Sequence, residues 1–217
     1  MRRRKVLLVD DHAIVRQGLA QLVEGESDLT VCGEAEDAQQ AIDAVESLHP
    51  DIAVVDLSLG GRDGIELIKD IKHRNPELPV LVLSMHDESL YAERALRAGA
   101  RGYIMKEESA DKVLTALRRV LGGEIYVSDE IQGKMLHRMF ASGAGAAEPQ
   151  ASPLERLTDR ELEIFRMIGE GLSARQIADK LFLSVKTVEA HREHIKQKLD
   201  LKSSNELLRF AIQHGLD

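Results

Sequence analysis

The chain has 217 residues, a hydrophobic fraction of 43% and a formal net charge of −8 at pH 7. This length allows two small domains or one large domain, and no apolar run approaches the roughly 20 residues that a membrane-spanning helix needs. The lack of such a run predicts no membrane partner. The single cysteine, Cys32, rules out an internal disulfide and favours a reducing cytoplasm.

The negative charge is unevenly distributed along the chain. Residues 1–121 carry 16 basic and 22 acidic side chains, whereas residues 154–217 carry 11 of each. Many nucleic-acid-binding domains are strongly basic, but no segment of this chain is. A prediction of DNA binding must therefore come from a motif.

The first 121 residues alternate short apolar runs with helical patterns. Strands are predicted at 5–10, 29–32, 52–56, 80–84 and 102–105, with helices at about 14–23, 37–48, 64–74, 88–98 and 110–121. This alternation predicts an α/β domain with a five-stranded parallel sheet, doubly wound and flavodoxin-like. In such folds the ligand site lies at the carboxyl ends of the strands.

Polar residues stand at four of these strand ends. Asp10 and Asp11 close the first strand, Asp56 the third and Ser84 the fourth, and Lys106 follows the fifth. Three adjacent carboxylates repel one another unless a cation joins them, and a hard divalent ion, Mg²⁺, suits oxygen ligands. A carboxylate held in this way can attack a phosphoryl group, with a cation and a hydroxyl donor nearby. Asp56 is therefore the predicted phosphoryl acceptor.

Each of these signals alone has a simpler interpretation. Asp10 and Asp11 could cap the next helix, Asp56 could be a turn residue, and Lys106 could face solvent. A phosphatase of the haloacid dehalogenase type also uses an Asp after a strand, but it needs a second Asp two residues further on, where Ser58 stands here. A flavodoxin-like cofactor binder would share the sheet, but the sequence lacks a phosphate-cradling loop.

Residues 122–153 have a different texture and are predicted to link two domains. A helix with Ser128 as its cap is predicted at about 129–140. The small, unpatterned residues 141–149 then predict a flexible tether.

Residues 154–217 show a purely helical pattern with short loops. Thr158 and Glu161 predict a capping box, and Ser173 and Ser184 predict the caps of the next two helices. These two helices are joined by a tight turn, as in a helix-turn-helix. Their predicted shared apolar contact consists of Ile177, Ala178, Leu181, Val185 and Val188. On this pattern alone, a helical bundle that binds protein or RNA as an adaptor is the alternative.

The strand-end residues of the first domain resemble those of the receiver domain of two-component response regulators. The resemblance implies that a sensor histidine kinase phosphorylates Asp56. It implies that Asp10, Asp11, Asp56 and the Ser58 main-chain carbonyl hold Mg²⁺. It also implies a switch in which Ser84 turns toward the phosphoryl group while Tyr103 moves inward.

Ser58 and His86 each lie two residues beyond a predicted site residue, Asp56 and Ser84 respectively. This spacing places both side chains at the rim of the site. Our hypothesis is that they set the lifetime of the aspartyl phosphate by controlling access of the attacking water.

The C-terminal motifs closely resemble the LuxR-type helix-turn-helix, and the whole chain resembles a NarL/FixJ-family response regulator. The motifs are Leu157-Thr158, Glu161, the break at 169–171, Ile177-Ala178 and Thr187–His191. The resemblance implies a transcription regulator rather than an enzyme, which binds double-stranded DNA as a homodimer when activated and can engage RNA polymerase. It assigns DNA contact to Lys186, Thr187, Glu189, Ala190, Arg192, Lys196 and Lys198.

The predicted recognition segment is only weakly cationic. Residues 186–202 hold five cations and three acids, so each protomer can neutralise few phosphates. Glu189 can accept a hydrogen bond from cytosine N4, which gives this acid a role in specificity. Dimerisation on a symmetric site is therefore the predicted step through which phosphorylation acts.

Overall fold

The computed structural model describes residues 2–59, 62–141 and 153–214. The chain divides into two compact units, Met1–His137 and Arg138–Asp217, which are described separately. Within the described ranges, no helix is both long and apolar enough to cross a bilayer.

The first unit is built on a five-stranded parallel sheet, as predicted. Its elements in chain order are β1 (Arg4–Val9), α1 (Ala13–Glu24), β2 (Leu29–Ala35), α2 (Ala38–Leu48), β3 (Ile52–Val55), β4 (Ser58–Leu59), β5 (Arg62–Asp63), α3 (Gly64–Arg74), β6 (Val80–Ser84), α4 (Glu88–Ala98), β7 (Gly102–Met105) and α5 (Ala110–Leu121). The strand order is β2-β1-β3-β6-β7, and β4 and β5 form a small antiparallel pair. The order reverses beside β1, so the carboxyl ends of β1 and β3 flank the crevice where ligands bind in such sheets.

The sheet is apolar because helices cover both of its faces. Val6, Leu8, Ile52 and Val54 point to one face and pack in a single core cluster with residues of α1 and α5. Their neighbours along the strands point to the other face, where α2, α3 and α4 contribute buried residues. The central strands β3 and β6 are buried along their whole length, and β1 is buried from Val6 to Val9, whereas most of β2 is only partly buried.

Helix α3 begins against the loop that carries Asp56. The Gly64 main-chain N–H donates to the Leu57 carbonyl at 3.0 Å. A Cβ at Gly64 would lie 2.5 Å from the Leu57 Cα, which is closer than real Cβ atoms come to backbone. Glycine at this position therefore lets the helix close on the loop.

The compact unit continues past the predicted domain boundary at residue 121. The Tyr103 main-chain N–H donates to the Tyr126 carbonyl at 2.8 Å, and the Tyr126 N–H donates to the Arg101 carbonyl at 3.0 Å. Val127 and Ile131 are buried. The segment after α5 thus pairs with the outer edge of β7 and covers it.

The predicted linker helix is present as α6 (Asp129–Ala141), and Ser128 Oγ accepts from the Ile131 main-chain N–H at 3.3 Å. The predicted tether at 141–149 lies outside the described residues except for Ala141.

The second unit is helical, as predicted. A short 3₁₀ turn (Pro153–Arg156) precedes α7 (Asp159–Gly169), α8 (Ala174–Lys180), α9 (Val185–Lys198) and α10 (Ser204–His214). The capping box of Thr158 and Glu161 forms at the start of α7, and Ser173 and Ser184 cap α8 and α9. The core is formed by Leu162, Phe165, Ile168, Ile177, Val188, Ile195, Leu207 and Ala211.

Candidate phosphoacceptor site and DNA-binding face

Main-chain ladder bonds continue to the carboxyl ends of the strands and fix the polar residues there. The Asp10 N–H donates to the Ala35 carbonyl at 3.1 Å, and the Asp56 N–H donates to the Val9 carbonyl at 2.8 Å. On the other side, the Lys106 N–H donates to the Ser84 carbonyl at 2.9 Å. The parallel sheet therefore brings residues 10, 56, 84 and 106 to one edge, as the sequence predicted.

The Lys106 ammonium lies between two buried carboxylates. Its Nζ is 2.5 Å from Asp10 Oδ2 and 2.7 Å from Asp56 Oδ2. Burial raises the pKa of the Asp56 carboxyl, although Lys106 works to lower it. Burial works to lower the pKa of Lys106, but hydrogen bonds to the two carboxylates raise it overall. Lys106 is thus held as a cation next to Asp56.

One oxygen of Asp56 is left without a partner. Oδ1 of Asp56 is buried and accepts no hydrogen bond from the described part of the chain. Oxygen atoms of Asp10, Asp11 and Asp56 and a nitrogen of His12 all lie within 4.8 Å of one another. Hard carboxylate oxygens at this spacing fit Mg²⁺.

His12 is a member of this cluster that the sequence argument did not assign. Its Nδ1 is 2.7 Å from Asp11 Oδ1 and 3.3 Å from Asp10 Oδ1, and its main-chain N–H donates to Asp10 Oδ1. Asp10 is nearly fully buried whereas Asp11 and His12 are exposed. Adjacency in sequence was the signal available for His12.

Ser84 and Tyr103 lie in the interior beside this site. Both side chains have an exposed fraction of 0%. Ser84 Oγ accepts from the His86 main-chain N–H at 3.2 Å, and the Tyr103 hydroxyl donates to the His86 carbonyl at 2.7 Å. Burial raises the pKa of Tyr103 well above its usual range, so the phenol remains protonated at neutral pH. In this structure Tyr103 is turned inward.

The two predicted rim residues contact each other. Ser58 Oγ and His86 Nε2 are 2.9 Å apart, and the His86 ring stacks on Tyr91 with centroids 4.8 Å apart. This hydrogen bond joins the loop after Asp56 to the loop after Ser84.

In the second unit, α8 and α9 pack as a helix-turn-helix. Ile177, Ala178, Leu181 and Val188 are buried, as predicted, but Val185 is 45% exposed, so its assignment to the shared contact was wrong. A helical side chain covers the turn that precedes it, and Val185 is the first residue of α9. It therefore has no preceding helical turn to cover.

The seven predicted DNA contacts occupy different environments on α9. Lys186, Glu189 and Ala190 are exposed on one face, together with Glu193 and His194. The Arg192 and Lys196 side chains are only 19% and 14% exposed and pair with Glu189 and Glu193 at 3.3 and 2.7 Å. The Thr187 hydroxyl lies 2.7 Å from Ser184 Oγ at the helix start.

Lys198, the last of the predicted contacts, is tied to the domain core. Its Nζ is 2.6 Å from Oε2 of the buried Glu161, which also accepts from the Thr158 main-chain N–H. Burial works to raise the pKa of Glu161, but the Lys198 hydrogen bond and the Thr158 N–H lower it overall. This pair joins the start of α7 to the end of α9.

Comparison with known families divides the chain as the structure does. Residues 6–118 match the response regulator receiver domain, and residues 155–211 match the luxR family of bacterial regulatory proteins.

Relatives of similar length match across both parts of this chain. The chain is 36% identical over 213 residues to the oxygen regulatory protein NreC of Staphylococcus carnosus and 37% identical to that of Staphylococcus aureus, with 98% of each chain covered. Among solved structures, the RcsB response regulator of Salmonella typhimurium matches with a TM-score of 0.72 and 27% identity over 98% of both chains. RcsB bound to the rprA promoter with phosphomimetic BeF₃⁻ matches with a TM-score of 0.67 and 28% identity, covering 97% of this chain and 99% of that one.

Proposed function

This chain belongs to the DNA-binding response regulators that join a receiver domain to a LuxR-type helix-turn-helix, and from that premise we propose that Asp56 is its phosphoryl acceptor. The free oxygen of Asp56 carries this proposal. Oδ2 is held by Lys106, whereas Oδ1 is buried without a hydrogen bond at the open end of the sheet. A carboxylate fixed through one oxygen presents the other for attack.

The proposed reaction is phosphoryl transfer from a phosphohistidine of a sensor kinase. An Asp56 oxygen forms a bond to phosphorus while the bond from phosphorus to the histidine nitrogen breaks. Lys106 remains beside the carboxylate and stabilises the negative charge on the transferred group. The hydroxyl of Ser84 supplies a hydrogen-bond donor to the same group.

Asp10, Asp11, Asp56 and the Ser58 main-chain carbonyl would hold Mg²⁺ at this site. When bound, the ion neutralises the carboxylates and the incoming phosphoryl oxygens. The clustered oxygens of Asp10, Asp11 and Asp56 support this assignment.

The proposed signal runs from Ser84 to Tyr103 through His86. Both side chains bond to the main chain of His86, Ser84 to its N–H and Tyr103 to its carbonyl. A rotation of Ser84 toward a phosphoryl group releases the His86 N–H and so shifts the segment that Tyr103 holds. Because the Tyr103 main-chain N–H bonds to Tyr126, this movement reaches the segment after α5.

The proposed readout is dimeric binding of α9 in the major groove. Lys186, Glu189 and Ala190 lie on its exposed face near the helix start, where recognition helices contact base edges. Thr187, Arg192, Lys196 and Lys198 complete the proposed contact set. The exposed face carries few cations, so two protomers on paired half-sites are needed for tight binding.

Intact-mass measurement after incubation with acetyl phosphate and Mg²⁺ tests the acceptor. We expect the wild-type chain to gain one phosphoryl group and Asp56→Asn to gain none. Asp51→Asn is the matched control, because Asp51 lies at the opposite end of β3 from Asp56 and contacts Arg4. A phosphoryl gain by Asp56→Asn equal to that of the wild type would contradict the proposal.

A further inference from the structure

Three consecutive helices of the second unit end in the same backbone motif. In each, an N–H two residues beyond the cap donates to a carbonyl in the last turn: Leu172 to Met167, Leu183 to Ala178 and Leu201 to Lys196. This is the Schellman motif, and its penultimate residue adopts a left-handed conformation. The residues at that position are Gly171 (φ 81), Phe182 (φ 52) and Asp200 (φ 57).

Phe182 is the exceptional member of this set. Glycine adopts positive φ without strain, and Asp, Asn and His tolerate it, but a bulky aromatic residue does not. His49 is the only other non-glycine residue with positive φ in the described part of the chain. The turn geometry therefore does not explain a phenylalanine at position 182.

Core packing does not explain it either. Phe182 is 82% exposed, whereas Leu181 on one side is 3% exposed. Leu183 on the other side is half-buried, and it stands at the position whose apolar contact usually accompanies this motif. The ring of Phe182 thus remains in water in the free protein.

The surroundings of Phe182 favour an anionic partner. The turn directly precedes α9, and exposed Lys180 and Lys186 stand on either side of it in the sequence. In the described part of the chain, neither lysine belongs to an ion pair, although exposed Asp179 is adjacent to Lys180. An aromatic ring between free cations resembles the polar, positively charged character of protein–DNA interfaces.

We propose that Phe182 is a DNA-contacting residue, an inference that rests on the proposed binding of α9 in the major groove. Its ring packs on the apolar parts of the groove wall, which are the deoxyribose rings and the thymine methyl groups. The lysines on either side hold phosphates while the ring is withdrawn from water. This contact adds affinity that does not depend on charge, which suits a recognition helix whose exposed face carries two acids beside Lys186.

The test uses the full chain activated with acetyl phosphate and a duplex selected from a random-sequence pool by the wild-type protein. Binding is followed by fluorescence anisotropy across a salt series, and unfolding by circular dichroism. We expect Phe182→Asn to retain or raise the thermal midpoint, because Asn tolerates positive φ, and to weaken binding at least about fivefold. Phe182→Tyr should retain affinity, since it keeps the ring.

The salt series separates an apolar contact from a phosphate contact. Phe182→Asn should leave the slope of log affinity against log salt unchanged, whereas Lys186→Gln should reduce it by about one. Ile125→Ala, which removes an exposed apolar side chain from the first unit, should change neither value.

The proposal would be overturned if Phe182→Asn bound DNA with wild-type affinity. It would also be overturned if Phe182→Asn lost affinity only through a reduced slope of log affinity against log salt. Unchanged DNA binding with reduced transcription in a reconstituted polymerase assay would instead assign the ring to a protein partner. If neither Phe182→Asn nor Lys186→Gln weakens binding, the DNA-binding face itself has been wrongly assigned.

Discussion

At the residue scale, the hydrogen bond between Ser58 and His86 ties together the two loops that border Asp56. Its loss should open a route for water to the aspartyl phosphate. A single hydrogen bond contributes about 0.5–1.5 kcal/mol, so we expect Ser58→Ala and His86→Ala each to speed dephosphorylation by about two- to tenfold. The lifetime of the phosphorylated chain on phosphate-affinity gels measures this rate.

Ser47→Ala is the control for this comparison, since the Ser47 hydroxyl donates to the Asp43 carbonyl within α2, on the exposed surface. Dephosphorylation rates in both rim variants equal to the wild-type rate would show that the bond does not limit access.

The Glu161–Lys198 pair predicts a pH-dependent stability of the helical unit. Because the pKa of Glu161 is lowered from its ordinary 4.5, the pair stabilises the fold above that pH and loses its effect as pH falls through the lower, folded value. We expect Glu161→Gln to cost about 1 kcal/mol at pH 7 and progressively less below pH 4.5. Calorimetric unfolding from pH 7 to pH 3 measures the difference.

Glu170→Gln serves as the matched control at the C-cap of the same helix, because its partner Arg166 lies 3.4 Å away at the surface. Its effect should stay below about 0.5 kcal/mol. A cost for Glu161→Gln that does not change with pH would assign the effect to packing. Lys198→Gln should lose the same stability, and any additional loss of DNA affinity would measure its proposed phosphate contact.

The meeting of Asp10, Asp56, Ser84 and Lys106 at one edge of the sheet could be predicted, because each residue ends or follows an apolar strand and parallel strands share an edge. The side-chain contacts between neighbouring loops could not be predicted. The contact between Ser58 and His86 joins residues 28 apart, and its distance depends on how two loops close. The low exposure of the Arg192 and Lys196 side chains also depends on packing, which a helical pattern alone does not specify.

At the scale of elements, α7 and α10 approach closely at a glycine. A Cβ on Gly169 would lie 2.6 Å from the Ala211 carbonyl oxygen, a backbone atom that cannot move aside alone. We expect Gly169→Ala to separate the helices and destabilise the unit by about 1–3 kcal/mol. Calorimetry or hydrogen exchange in α10 would detect this loss.

Gly18→Ala provides the opposite control. Gly18 lies within α1 with no atom within 4 Å of its added Cβ, so the substitution should stabilise that helix by about 0.5–1 kcal/mol. Stabilisation by Gly169→Ala would mean that α10 adjusts without cost.

Helix and strand periodicity predicted the main elements of both units, including α6. The short β4–β5 pair was not predicted, because two-residue strands carry no periodic signal. The contact predicted for Val185 was also wrong. Its apolar character fits the helix-turn-helix pattern, but its position at the first residue of α9 leaves it exposed.

At the scale of the whole molecule, the proposed function requires two protomers to bind DNA together. We expect the phosphorylated chain to bind a duplex with two half-sites at least about tenfold more tightly than a duplex with one, because the second contact becomes intramolecular. Anisotropy with both duplexes measures this ratio, and sedimentation gives the oligomeric state. Asp56→Asn treated in the same way should show a smaller ratio.

Equal affinity of the unphosphorylated and phosphorylated chains for the two-site duplex would show that the receiver does not control DNA binding.

The order of the two domains was predictable from their motifs. The position at which the first unit ends was harder to predict, since the pairing of Tyr126 with β7 leaves no pattern in the sequence.

The strand-like pairing of Tyr126 has a practical consequence for anyone who recombines such proteins. A hybrid regulator spliced at residue 121, the apparent end of the last receiver helix, would discard the segment that covers β7 and would leave its hydrogen-bonding groups open to other chains. A splice after Ile131 carries that cover with the sheet, together with the connection from Tyr103 to the chain beyond it. The exchangeable part of this receiver is therefore longer than its five strand–helix repeats.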